Sequence, residues 1–166
     1  MEAEETASLE VPAEPVERVR AVVTRVVTAL GLEASVEVEE NEEEIRATVD
    51  GPDDLGRLIG RHGAMIDALQ HLAWRAAFHD RDERKSVVVD AAGYRKRREE
   101  ALQRQADRAA SEAIRYGRPV ELEPMSASER KIVHNYLADR HDVETHSEGD
   151  EPERRLVVSP LRGAGA

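Results

Sequence analysis

No cysteine occurs among the 166 residues, which excludes disulfides and thiolate metal sites and suits a reducing compartment. No apolar run approaches the ~20 residues that a membrane-spanning helix needs. The opening Met1-Glu2-Ala3-Glu4-Glu5 lacks both the basic and the apolar region of a signal peptide. These absences lead to the expectation of a soluble, cytoplasmic protein without membrane contact. The six histidines, His62, His71, His79, His134, His141 and His146, show no His-Glu-x-x-His spacing and no grouped carboxylates. A nucleophile elbow and a nucleotide-hydrolase phosphate loop are likewise missing from the sequence. Neither catalysis nor a metal or other cofactor is expected.

Positive charge is short as well: 24 basic against 35 acidic side chains give a net charge of -11. The deficit is uneven. Residues 1–50 hold 14 acidic and 4 basic side chains, whereas residues 51–100 hold 9 and 10. Because charge acts over a Debye length of about 8–10 Å, local potential matters more than the total. The acidic balance predicts a weak or selective binder of anions, not a tight non-specific one.

What is present falls into two patterned stretches. Residues 1–14, rich in Glu and ending near Pro12 and Pro15, read as a disordered acidic tail. From Pro15 the valines 16, 19, 22, 23, 26 and 27 recur at helical spacing up to Leu30, and Gly31 is a stop. The period then becomes two. Ala34, Val36 and Val38, then Ile45, Ala47 and Val49 after an Asn41-Glu42 turn, predict an antiparallel hairpin with one buried face. Asp53 or Asp54 can cap a short helix through Leu55, Leu58 and Ile59. A longer helix carries Met65, Ile66, Leu69, Leu72, Ala73, Ala76 and Ala77, and residues 86–90 form an apolar strand of central or covered type. Ala91-Ala92-Gly93 marks a joint. Residues 94–116 read as one long charged helix, followed by a short strand at Val120 and Leu122. Ser126-Ala127-Ser128-Glu129 is a capping box opening a helix with Ile132, Val133, Tyr136 and Leu137 on its apolar face. Two last strands cover residues 143–146 and 156–158, and residues 161–166 read as a flexible C-terminus.

Between the short helix and the longer one lies Leu58-Ile59-Gly60-Arg61-His62-Gly63-Ala64-Met65-Ile66. Glycines lacking Cβ allow a tight turn and a close approach of backbone to another molecule. The loop tip offers donors, Arg61 and His62, and precedes a helix whose free N–H groups and dipole attract phosphate. A bare Gly-x-x-Gly is more often ordinary turn chemistry. Its setting, α-β-β-α-α-β over residues 15–91, resembles a type II KH domain. That resemblance implies that Gly60, Arg61, His62 and Gly63 clamp a nucleic-acid backbone, with Ile59 and Ile66 supporting the loop or lining an aliphatic groove. An aromatic content of 3% agrees with such a groove better than with a base-stacking sheet.

Downstream, Arg130 and His134 are four residues apart, so they share a helix face at the margin of the apolar stripe. Such a pair is often surface decoration. Here Thr145-His146-Ser147-Glu148-Gly149 and Arg154-Arg155-Leu156-Val157-Val158 follow it. The combination resembles the small single-stranded nucleic-acid-binding domain named for an Arg and a His spaced by three residues. In that fold the pair faces the strand, and Arg154 and Arg155 would extend the surface. A third basic cluster, Arg95-Lys96-Arg97-Arg98, reads either as a bridge between two nucleic-acid surfaces or as a solvated helix start.

Both domains in this order, covering residues 15–160, resemble the Jag (SpoIIIJ-associated, also KhpB) family of bacterial RNA-binding proteins. The fold class implied is α/β (α+β), a type II KH domain over residues 15–91 followed by an αβαββ domain over residues 92–160. The resemblance implies an RNA chaperone or post-transcriptional regulator of single-stranded RNA, linked to cell division and envelope growth. It also implies a small KH-only protein partner and homo- or heterodimer formation. Two departures stand out: residues 1–14 do not provide the extra N-terminal domain of many members, and Glu153 stands where the family often has an aromatic. Replacing Gly60 and Gly63 by Asp is expected to place anions at the phosphate site without touching the core patterns. The rival reading is a protein-interaction adaptor whose KH module mainly dimerises.

Overall fold

The computed structural model describes residues 11–82 and 84–161, which form two compact units that divide between Tyr94 and Arg95.

In the first unit, helix α1 (Pro15–Ala29) starts with proline in its first turn, where a missing N–H costs nothing. Val19, Val23 and Val27, spaced by four, are its buried line, and Gly31 at φ 66 ends it. Strands β1 (Ser35–Glu40) and β2 (Glu44–Asp50) pair antiparallel, with Val36 opposite Val49 and Val38 opposite Ala47. The Asn41 carboxamide oxygen accepts from the N–H groups of Glu43 and Glu44, both at 2.8 Å, and so shapes the turn. After the four-residue α2 (Gly56–Ile59) and a 3-10 turn (Arg61–Gly63) come α3 (Ala64–Phe78) and β3 (Ser86–Ala91). The element order is the expected α-β-β-α-α-β.

Sheet order is β1-β2-β3, with β3 parallel to β2. The apolar run in β3 therefore belongs to an edge strand, not a central one. Its alternate residues Val87, Val89 and Ala91 are buried. Gln70 on α3 accepts the Val89 N–H at 3.1 Å, which covers part of that edge and explains how so apolar a strand can lie there. Ile45, Ala47 and Val49 of the central strand are fully buried against Val19, Val23, Ile66, Leu69, Ala73 and Ala77. Each large side chain buried in this way contributes about 1.5–3 kcal/mol of transfer free energy. Leu72, expected on this face, is instead 57% exposed.

Two expectations about the start of the unit also change. Asp53 does not cap α2 but accepts the Glu33 N–H at 2.6 Å, while Asp54 accepts that of Gly56 at 2.9 Å. Residues 12–14, expected within the disordered tail, are tied down: Arg18 Nε donates to the Pro12 carbonyl at 2.6 Å and Arg81 to that of Ala13 at 2.7 Å. Residues 1–10 of that tail, and residues 162–166 of the C-terminus, lie outside the described residues.

The second unit is built on α4 (Tyr94–Tyr116), whose inner line is Leu102, Ala106, Ala109, Ala110 and Ala113. Small alanines let other elements approach this helix closely. Strands β4 (Val120–Glu121), β5 (Val143–Glu148) and β6 (Arg155–Pro160) form a second sheet in the order β4-β6-β5, antiparallel throughout. Helix α5 (Ala127–Leu137) adds Val133 and Leu137 to the core with Leu156 and Val158. Tyr136, expected on the apolar face, is 40% exposed and donates its hydroxyl to Asp107 at 3.0 Å. The order is α-β-α-β-β, as expected.

Candidate nucleic-acid interface

Helix α2 stops at Gly60, whose N–H returns to the Gly56 carbonyl at 2.8 Å while its own backbone swings to φ 74, ψ 177. Only glycine populates that region freely. His62 (φ 52, ψ 29) and Gly63 (φ 80, ψ 10) are left-handed as well. Histidine is among the residues enriched there, so the tip conformation suits its sequence. A Cβ on Gly60 would lie 2.7 Å from Met65 Cβ and 2.8 Å from Met65 N, and one on Gly63 would meet the Tyr94 ring. The glycines are thus required by the chain's own packing, not only by a visiting backbone.

Arg61 and His62 are exposed at the tip, and among the described residues neither side chain makes a hydrogen bond or ion pair. Some of the free backbone donors expected at the start of α3 are already used. The Gly63 N–H donates to the Gly60 carbonyl at 3.3 Å, and the Ala64 N–H to that of Arg61. Ile66 is fully buried and can only support the loop, whereas Ile59 is half-buried. What the arrangement offers a ligand is a small, rigid, cationic point with two unengaged donor side chains.

In the second unit the capping box forms as expected: Ser126 Oγ accepts from Glu129 N, and Glu129 Oε2 from Ser126 N, both at 3.3 Å. Glu129 is buried and takes a further hydrogen bond from Arg98 Nε at 2.6 Å. Arg130, expected at a solvent-reaching margin, is buried too. Its Nη1 donates to the Met125 carbonyl at 2.7 Å and, more weakly, to that of Arg154 at 3.5 Å; Nη2 donates to Glu151 Oε1 at 2.6 Å. The next turn presents His134, which is exposed and shares a 2.6 Å hydrogen bond between Nδ1 and Thr145 Oγ1. Among the described residues, no group of three or more His, Asp or Glu could hold a metal ion, and no helix is long and apolar enough to cross a membrane.

Arg154 donates to the Gly149 carbonyl at 2.7 Å and joins Arg130 in holding the 149–154 loop. Arg155 does not join them. It is bound to Glu121 Oε2 of β4 at 2.9 Å, and it alternates with the core-facing Leu156 and Val158. Thr145 lies opposite Val158, so His134 and Arg155 stand on opposite faces of the sheet. Sequence reasoning gives no role to three residues at these positions: Lys131, Thr145 and Glu151. Lys131 is exposed beside Arg130, and its basic neighbourhood is the one signal for it. Thr145 and Glu151 are visible only as partners across 11 and 21 residues, which spacing along one helix does not report.

Comparison with known proteins gives each unit a class. Residues 17–90 match the KhpA/KhpB KH domain, and residues 100–160 match the domain named for its Arg and His spaced by three residues. The chain is 31% identical over 151 residues to the RNA-binding protein KhpB of Bacillus subtilis, covering 90% of this chain and 72% of that protein. The KhpB of Clostridium symbiosum is 37% identical over 133 residues, covering 80% of this chain and 60% of that protein. That of Lactiplantibacillus plantarum is 45% identical over 104 residues, covering 63% of this chain and 32% of that protein. The chain therefore spans between a third and three quarters of these relatives. It belongs to the KhpB (Jag) family.

Proposed function

We propose that this chain binds single-stranded RNA through two surfaces in tandem. One is the Gly60-Arg61-His62-Gly63 loop over Ile59 and Ile66; the other is built on Arg130, His134 and Arg154. Arg155, expected there, is paired with Glu121 on the opposite face of the sheet and falls outside it. The observation that carries the reading is the exposed Arg61 and His62 pair, held in a left-handed turn with no intramolecular partner among the described residues. Family membership, with relatives that are themselves named RNA-binding proteins, supports it. Two weak sites on one chain gain affinity through effective concentration, so neither has to be strong. The role is that of an RNA chaperone or post-transcriptional regulator in the cytoplasm, tied to cell division and envelope growth and paired with a small KH-only protein. No catalytic step is part of it. The test is crosslinking followed by sequencing of bound RNA from cells. Enriched single-stranded segments that vanish in the Arg61→Asp, His62→Asp variant are expected, and an unchanged RNA profile in that variant would remove the loop from the site.

A second reading, the protein-interaction adaptor, is favoured by one observation. Leu72 on α3 leaves a large apolar side chain 57% exposed. Leu72→Glu should abolish protein pairing while sparing RNA if the adaptor role is separate. A protein complex without enriched RNA would favour the adaptor outright.

A further inference from the structure

Three charged side chains are buried among the described residues: Arg18, Glu129 and Arg130. Arg130 is the one expected to touch the strand, and its surroundings argue otherwise. We infer that Arg130 is a positioning residue of the second surface, which fixes the 149–154 loop and is not itself a phosphate contact. The inference deepens the RNA-binding reading and rests on it.

Its side chain is 9% exposed, whereas that of its ion-pair partner Glu151 is 57% exposed. The partner that meets solvent is therefore the carboxylate, and a phosphate could reach the guanidinium only by displacing it. That exchange trades one anion for another on a desolvated cation and gains little electrostatically. What Arg130 does hold is backbone. It donates to the carbonyls of Met125 and Arg154, and the Arg154 carbonyl also takes the Met125 N–H at 3.2 Å. With Arg154 reaching back to the Gly149 carbonyl, the loop is fastened at both ends and, through Glu151, in its middle. The side chains left to meet a strand are Arg154 on that loop and the exposed Lys131 and His134 on α5.

A contact and a positioning residue predict opposite behaviour for the partner. If Arg130 were a phosphate contact masked by Glu151, then Glu151→Gln would unmask it and tighten binding. If Arg130 positions the loop, Glu151→Gln and Arg130→Gln both loosen the loop and weaken binding. Removing any carboxylate near an anion site also favours binding generally, so Glu153→Gln, exposed on the same loop, is the matched control.

The experiment measures binding of a labelled mixed-sequence single-stranded RNA to the full chain across a salt series, with amide hydrogen exchange of Met125, whose N–H is held by the Arg154 carbonyl. Expected are Glu151→Gln binding about tenfold more weakly than Glu153→Gln, the size of one charge-assisted hydrogen bond, and faster exchange at Met125. For Arg130→Gln the slope of log affinity against log salt stays at the parent value. Glu151→Gln binding as tightly as Glu153→Gln, or tighter, overturns the inference. So does a fall of about 0.7 in the slope for Arg130→Gln, the amount that one phosphate of a single strand contributes. Should Arg130→Gln fail to fold, the Glu151→Gln comparison decides alone, because that residue is exposed. Should the parent bind no RNA, the functional reading falls separately. The exchange data then decide the positioning role: protection of the Met125 amide lost in Glu151→Gln supports it, and protection kept rejects it.

Discussion

A Cβ atom on Gly63 would stand 2.8 Å from Cε1 and 2.9 Å from the hydroxyl of Tyr94, the residue that opens α4. The aromatic ring fills the space that glycine leaves, so loop and ring specify one another. Gly63→Ala therefore combines a left-handed backbone with a clash and should cost about 2–4 kcal/mol. Gly31 is the internal comparison. It has a similar φ of 66 with nothing within 4 Å of the added atom, so Gly31→Ala should cost only about 1 kcal/mol. Chemical denaturation of the two variants checks the difference; equal losses would mean that Tyr94 does not constrain the loop.

The same geometry removes a test that the sequence invites. Gly60→Asp with Gly63→Asp would not leave the fold untouched, since both positions have positive φ and both added Cβ atoms collide. Arg61→Asp with His62→Asp is the cleaner probe. Both side chains are exposed, and Asp tolerates the left-handed conformation of residue 62. Stability should change by less than about 0.5 kcal/mol. The salt slope of RNA binding should fall by about 0.7 for each phosphate that the tip no longer neutralises. Binding and slope equal to the parent would show that the tip does not meet the strand.

Local signals are the legible ones. Pro15, Gly31 and the valine spacing bound α1, and the Ser126 capping box gives the start of α5, because each is decided within a few residues. Leu72 shows the limit of counting three- and four-residue steps without a direction. At 100° per residue it stands about 120° from the line through Ile66, Ala73 and Ala77. The edge position of β3 depends on Gln70, 19 residues before Val89, and the burial of Arg130 depends on Glu151. Neither partner is marked by any periodicity. The candidate surfaces are thus legible as motifs, while the division of labour between their residues is not.

The capping box itself can be weighed. Ser126 supplies one orphan donor of α5 with an acceptor, and Glu129 reciprocates while also bound to Arg98. Ser126→Ala should destabilise the second unit by about 1 kcal/mol. Glu129→Ala should cost more, because it also removes a buried charge-assisted hydrogen bond with Arg98. Thermal unfolding that ranks the two in the reverse order would contradict this account of the helix start.

Acid sensitivity has a specific origin in the first unit. The hydrogen bond from Arg18 to the Asp80 carboxylate, at 2.6 Å, holds the Asp80 pKa at about 2, below its ordinary 3.8. A carboxyl depressed in the folded state stabilises fully above its unfolded pKa, and that contribution is lost as pH falls toward the folded value. The pair therefore acts at neutral pH and fades between about pH 4 and pH 2. Asp80 is largely solvated, so the gain is modest and should weaken with salt. It matters because Arg18 also binds the Pro12 carbonyl and ties residue 12 to α1. In urea unfolding, Asp80→Asn should be less stable than the parent at pH 7, and the gap should close as pH approaches 2. A gap of constant size across that range would place the effect in packing around Arg18 and not in the charge on Asp80.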